Sequence, residues 1–190
     1  MLSSPHDEAA LVKRAANGDA DAFGTLYLRH LDAIYRYVRL RVGNARDAED
    51  LTEQVFLKAW EALPSYRQRG LPFASWLYRI AHNAVVDFHR RPSPEVPLAA
   101  ADHPSGGGSS RGAGALDTII QESEVAALAE AIRKLPEEQQ QVIVLRFIEG
   151  LSHAEVARII NKSQGACRVI QHRALSALHR LLTEADHDQV

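Results

Sequence analysis

SHAEVARIINKSQGACRVIQHRALSALHRLL, Ser152 to Leu182, holds three local signals in a row. Ser152 followed by Glu155 has the spacing of a capping box, in which hydroxyl and carboxylate each satisfy a backbone N–H left orphaned at a helix start. A helix over 153–160 then stops at Asn161, a residue that tolerates the left-handed conformation. Ser163 is placed to cap a second helix. From Val156 to Thr183 there is no acid, while Arg158, Lys162, Arg168, Arg173 and Arg180 fall in the same span. Two helices parted by a tight turn, the second basic, form the helix-turn-helix pattern, whose second helix lies in the major groove of DNA.

Working outward, an amphipathic helix is expected around Ile119–Leu135. Pro136 restarts the chain as PEEQQQVIVLRFIEG, with acids in the first turn and Gly150 as the stop. Before this block, residues 92–116 read PSPEVPLAAADHPSGGGSSRGAGAL, rich in Pro, Gly and Ser without apolar period, which marks a flexible linker. Such a segment typically separates its ends by ~25–30 Å, and by more when stretched. The first block is helical too. Phe23, Tyr27, Leu31, Ile34 and Val38 repeat at helical steps and stop at Gly43-Asn44. Leu51, Val55, Ala59 and Leu63 mark a second helix closed by Pro64. A third runs from Phe73 through Trp76, Leu77, Ile80, Ala84, Val85 and Phe88. The fold class is therefore all-α: two small helical domains, 1–91 and 117–190, joined by a tether at 92–116.

The composition narrows the function. Of the 190 residues 46% are hydrophobic and 24% charged, ordinary for a soluble protein. No apolar run approaches the ~20 residues of a membrane span, so no membrane insertion is expected. MLSSPHDEAALVKRAANGD does not read as a signal peptide. The single cysteine, Cys167, excludes an internal disulfide and fits a reducing, cytoplasmic compartment; it is expected in the core. The net charge of −2 argues against indiscriminate polyanion binding, but the cations are clustered. Besides the stretch above, Ala62 to Val86 lacks acids and carries Arg67, Arg69 and Arg79, with Arg90 and Arg91 behind. Two basic patches suggest two contacts with one anionic partner. No enzyme is expected: His172 and His179 are seven apart on a basic helix, without HExxH, a Cys-His cluster or a grouped carboxylate. Neither metal nor cofactor is implied.

At this point two stretches are recognisable. AEDLTEQVFLKAW followed by FASWLYRIAHNAVVDFHRR resembles region 2 of the sigma-70 family. LPEEQQQVIVLRFIEGLSHAEVARIINKSQGACRVIQHRALSALHRLL resembles region 4. The linker is too short for a region 3 domain and no region 1 is expected, an architecture similar to the extracytoplasmic-function (ECF) group of sigma factors. The resemblance implies a polymerase subunit that reads promoters. Its partners would be core RNA polymerase, through the β′ and β subunits, and promoter DNA, both duplex and single-stranded.

The same resemblance assigns residues. The helix matching Asp47–Trp60 docks, in the family, on a basic coiled coil of β′, which points to Asp50, Glu53 and Gln54, although the family usually reads Gln-Glu at the last two. Tyr66, Arg67 and Arg69, in the loop Pro64–Pro72, and Arg79, Asn83, Arg90 and Arg91 beyond it would hold the melted minus-ten strand, where unstacking is offset by aromatic stacking and backbone cations. An amide at Asn83 can read a base edge. His82 and His89 read as ordinary solvated histidines. Where housekeeping factors carry a Trp-Trp wedge this chain has Trp76-Leu77, so Trp76 is read as core. For the minus-thirty-five duplex the candidates are Gln164, Arg168 and Gln171 toward bases, with Lys162, Ser163, His172 and Arg173 nearer phosphate. Many relatives read Glu-Gly-Thr-Val-Lys-Ser-Arg where this chain has Gln-Gly-Ala-Cys-Arg-Val-Ile.

The rival reading is a helix-turn-helix regulator that never joins the polymerase; the region 2 block argues against it. Two ways of holding the free factor inactive fit the family: the blocks folding together, or an anti-sigma protein, which many ECF factors have. Both remain open from sequence.

Overall fold

The computed structural model describes residues 5–66, 72–90 and 123–187, and every regular element among them is helical. The first block contains α1 (Pro5–Ala16), α2 (Ala20–Val42), α3 (Ala45–Ala62) and α4 (Phe73–Arg90), with a 3-10 turn at Leu63–Ser65. The second contains α5 (Ser123–Lys134), α6 (Glu137–Ile143), α7 (His153–Ile159) and α8 (Gln164–His187).

The boundaries follow from the signals in the chain. Gly43 ends α2 at φ 86°, donating its N–H to the Arg39 carbonyl, a conformation that a Cβ would strain. Asn44 then caps α3 by accepting from the Asp47 N–H at 2.8 Å. The capping box at Ser152 and Glu155 is complete, Asn161 sits at φ 54°, and the Ser163 hydroxyl accepts from the Ala166 N–H at 3.1 Å. One helix was not foreseen. The sequence reading places nothing helical before Phe23, yet α1 buries Leu11, Val12 and Ala15 against the bundle. That stripe is too short to announce itself. Asp7 and Glu8 in its first turn and Lys13 and Arg14 in its last favour the helix dipole.

The core of the first block joins aliphatic residues such as Leu26, Ile34, Val38, Val55, Leu77 and Val85 to a set of aromatic contacts. Tyr27 meets Phe56 edge-on at 4.7 Å, Phe23 meets Trp60 at 4.8 Å, and Tyr37 meets Tyr78 at 5.6 Å. Aliphatic residues dominate the second core: Ile132, Leu135, Val142 to Leu145, Val156, Ile159 and Leu178, with Cys167 fully buried among them. Where α6 ends, the chain widens into a π turn over Val144–Ile148, and the Glu149 N–H reaches back to the Val144 carbonyl. Such a turn changes the direction in which the following side chains point.

That change matters, because the two blocks touch. α7 packs on α4, and α5 and the π turn pack on α2. Glu149 projects into the seam with its side chain 3% exposed. Its two oxygens accept from Arg36 Nε and Nη2 at 2.9 and 3.0 Å, and Tyr78 donates its hydroxyl to the second at 2.6 Å. A second group surrounds Arg41, a fully buried guanidinium. It donates to Tyr37 Oη at 3.1 Å, Gln140 Oε1 at 3.2 Å and Glu137 Oε1 at 3.4 Å. Gln140 is held in turn by donating its amide to the carbonyls of Arg133 and Leu135.

Candidate nucleic-acid interface

The helix α3 buries Ala48, Leu51, Thr52, Val55, Phe56 and Ala59. Asp50, Glu53 and Gln54 fall off that stripe and are exposed, side by side on the outer face. Leu57, one turn further, is also outward and 59% exposed. The sequence reading assigned the apolar half of this helix to its own bundle and missed Leu57. Its position four residues after Glu53 and three after Gln54 was the available signal. Two carboxylates and an amide next to one apolar side chain make a surface suited to a basic partner with an apolar patch.

Across α4, Phe73, Leu77, Tyr78, Ala81, Ala84 and Val85 face inward, while Arg79, Asn83 and Arg90 are exposed. Tyr66 lies half-buried beyond the 3-10 turn, with its ring 4.8 Å from Trp76 and 5.8 Å from Phe73. Burial pushes the Tyr66 phenol above its ordinary range, so it acts as a neutral ring and hydroxyl. Trp76 is less a core residue than the sequence reading had it. It packs against the core through Phe73 at 5.4 Å, but is half-buried and lines a cleft. Arg67, Arg69 and Arg91 lie outside the described residues.

His82 corrects another expectation. It is not a solvated histidine: the Gln141 amide nitrogen is 2.6 Å from its Nδ1, across the seam. An amide nitrogen can only donate, so Nδ1 accepts and the ring is neutral. Burial, with Arg41 nearby, holds its pKa below the ordinary value. His89, by contrast, is exposed.

On the second block, Lys162, Ser163, Gln164, Arg168, His172 and Arg173 are all exposed around the start of α8. Arg168 and His172 share one side of the helix, four residues apart, and Gln164 is one turn before them. Two nominees are already engaged. Gln171 Oε1 is 2.8 Å from His153 Nε2, a bond that braces α7 against α8 and leaves the amide nitrogen of Gln171 free to donate. Lys162 pairs with Glu138 at 2.8 Å, both largely exposed, a contact that exchanges readily for phosphate. Val169, standing where relatives carry serine, is 51% exposed, whereas Ile170, standing where they carry arginine, is half-buried. Cys167 is fully buried, and desolvation raises its thiol pKa, which makes it inert.

The two basic patches meet. A cleft of about 720 Å³ is lined by Tyr66, Trp76 and Arg79 from the first block and Arg158, Asn161 and Lys162 from the second. Among the described residues no group of His, Cys, Asp and Glu is arranged to hold a metal ion, and no helix is long and apolar enough to cross a membrane.

Comparison with known proteins agrees with this geometry. The family models Sigma-70 region 2 and Sigma-70, region 4 match residues 26–93 and 126–178. The chain is 38% identical to the ECF RNA polymerase sigma factor BldN of Streptomyces coelicolor over 92% of its own length, and spans 65% of BldN. It is 35% identical to SigD of Mycobacterium tuberculosis, covering 89% of this chain and 81% of SigD. With SigW of Bacillus subtilis it shares 31% identity over 91% of this chain and 95% of SigW. Among solved structures, that of CnrH in complex with the cytosolic domain of CnrY has a TM-score of 0.71 at 29% identity, covering 94% of this chain and 98% of CnrH.

Proposed function

The chain belongs to the ECF sigma factors of the sigma-70 family, non-catalytic RNA polymerase subunits that direct promoter recognition, and we propose that it divides this work between its blocks, 1–91 and 117–190, with 92–116 as the tether. The observation that carries the division is the outer face of α3. Asp50, Glu53, Gln54 and Leu57 stand exposed together on a helix whose other side is fully committed to its bundle. Nothing about folding requires this acidic row, whereas a basic coiled coil on core polymerase does. The charged groups steer the encounter, and Leu57 supplies the apolar anchor that interfaces concentrate near their centre.

Once docked, the first block captures the melted minus-ten strand. Tyr66 offers a ring for stacking, Arg67, Arg69, Arg79, Arg90 and Arg91 follow the phosphates, and Asn83 reads a base edge. On the second block α8 enters the major groove at the minus-thirty-five element, with Gln164 and Arg168 toward bases and Lys162, Ser163, His172 and Arg173 toward phosphate. Gln171, braced by His153 through its oxygen, offers its amide nitrogen beside them. Promoter affinity falls steeply with salt, as it does wherever cations displace the counterions of DNA. The work is done in the cytoplasm, where polymerase and chromosome are. CnrH was solved with a second protein bound, which supports a protein regulator of the anti-sigma kind for this chain also.

Run-off transcription with core polymerase over a genomic promoter library tests the reading. Discrete starts sharing two spaced upstream elements, dependent on Asp50, Glu53 and Gln54, are the expected result. Duplex binding without core association or starts would leave a plain helix-turn-helix regulator.

A further inference from the structure

His153 and Gln171 join two helices that are already held together without them. α7 and α8 contribute Val156, Ala157, Ile159, Cys167 and Ala174 to the buried core. A part-buried hydrogen bond adds little to such packing. Its position is nevertheless well determined. His153 is the first residue of α7, directly after the capping box, where the Ser152 N–H donates to Glu155 Oε2 at 2.8 Å and the Glu155 N–H to Ser152 Oγ at 3.3 Å. On α8, Gln171 follows Arg168 by three residues and Gln164 by seven, so the three share one face. Both partners of the bond are half-buried.

The bond has a direction. An amide oxygen only accepts, so His153 Nε2 carries the hydrogen and donates to Gln171 Oε1 at 2.8 Å. The oxygen is thereby turned to α7, while the amide nitrogen takes no partner among the described residues. For the base-reading face assigned to α8 above, on which this inference rests, that direction decides what the side chain can read. A free glutamine pairs with adenine through both ends of its amide, the oxygen accepting from N6 and the nitrogen donating to N7. With its oxygen turned to His153, Gln171 cannot set both ends against one adenine edge. What remains is a donor with two hydrogens. Guanine offers it two acceptors side by side, O6 and N7, whereas the amines of adenine and cytosine oppose a donor and thymine offers one acceptor beside its methyl group. The brace also orders a long side chain before DNA arrives, so less freedom is lost on binding.

We propose that His153 is a positioning residue for promoter recognition: by holding Gln171 Oε1 it makes Gln171 a donor-only reader that selects guanine over adenine in the minus-thirty-five element. His153 touches no base itself. The specificity of α8 is set in part from α7, and a residue outside the recognition helix decides between two purines that a free glutamine would rank the other way.

The test uses the full chain assembled with core polymerase, and duplexes randomised across the upstream element, from which bound molecules are selected and sequenced. Gln171→Leu identifies the base pair that Gln171 faces, as the position whose preference flattens. At that pair the parent is expected to favour G·C over A·T. His153→Ala frees the amide oxygen and should shift the ratio toward A·T by at least about fivefold, the lower end of what one bidentate contact discriminates, with other positions unmoved. His153→Gln, which keeps a donor of similar reach, should follow the parent. A merely structural brace would lower affinity or melting temperature without moving that ratio. An A·T preference in the parent, a ratio indifferent to His153→Ala, or the absence of any position that depends on Gln171 overturns the proposal. The parent's own preference stays decisive should His153→Ala fail to fold. Selection of no upstream element at all would instead sink the assignment of α8 as the base reader, and this proposal with it.

Discussion

Helices α3 and α4 are equal in length, eighteen residues each, and bury one side in the same four-helix bundle. They differ in what lies on the other side. That of α3 is bare, with Asp50, Glu53, Gln54 and Leu57 facing solvent. That of α4 is divided: Asn83 and Arg90 are exposed, while Arg79, also exposed, and half-buried Trp76 line a cleft shared with the second block. Two helices of one bundle thus present their partners with unequal access.

The largest effect that separates them is expected from the bare face. Replacing Asp50, Glu53 and Gln54 together with alanine should weaken core binding at least a hundredfold in a competition assay, with the melting temperature nearly unchanged. These side chains carry no weight in the bundle, and alanine favours the helix. A clear drop in melting temperature, or unaltered core affinity, would remove the assignment of that face.

A paired truncation sharpens the same contrast. Leu77 on α4 has no exposure, and Leu77→Ala should cost ~2–5 kcal/mol of stability, from lost burial plus the cavity left behind. Leu57→Ala on α3 should change stability by less than ~0.5 kcal/mol, as exposed positions do, while lowering core affinity about tenfold, the scale of an interface anchor. Chemical denaturation and core-binding titrations on the two variants must give opposite patterns. Arg79→Ala is a milder probe of the cleft-lining face: core binding should be untouched and open-complex formation reduced about tenfold, as loss of a single strand-holding cation implies.

Much of this was legible in the chain, for local reasons. Gly43, Asn44, Ser152, Asn161 and Ser163 act within a few residues of themselves, so their boundaries could be read in advance. The exposed row at Asp50, Glu53 and Gln54 follows from helical period once Leu51 and Val55 are inward. Three things escaped. α1 buries only Leu11, Val12 and Ala15, too little to show a period. The π turn inserts no recognisable residue; it begins within the buried run Val142, Ile143, Val144 and Leu145. The partners of Glu149, His82 and Gln171 lie 113, 71, 59 and 18 residues away in sequence, and no local rule joins residues so far apart. What was hidden is therefore tertiary contact: the seam, the His153–Gln171 brace and the packing of α1.

The smallest predicted effect concerns that seam and pH. His82 is held neutral by burial and by Arg41, with Glu137 opposing. His30, inside the first block against Phe73, is lowered chiefly by burial and then by Arg29, with Glu8 opposing. In the unfolded chain both titrate near their ordinary value of about 6.5. Above that pH neither histidine affects stability, because both states carry them neutral. As pH falls through about 6.5 the unfolded state takes up protons that the folded state refuses, so stability declines, and it levels off only below the depressed folded values. Melting temperature should therefore be flat from pH 8 to 7 and fall by a few degrees toward pH 5.5. Replacing His82 with glutamine should remove part of that slope and leave the part due to His30. A slope identical in the variant and the parent would mean that His82 already takes up its proton in the folded molecule, and that the Gln141 contact does not hold the ring neutral.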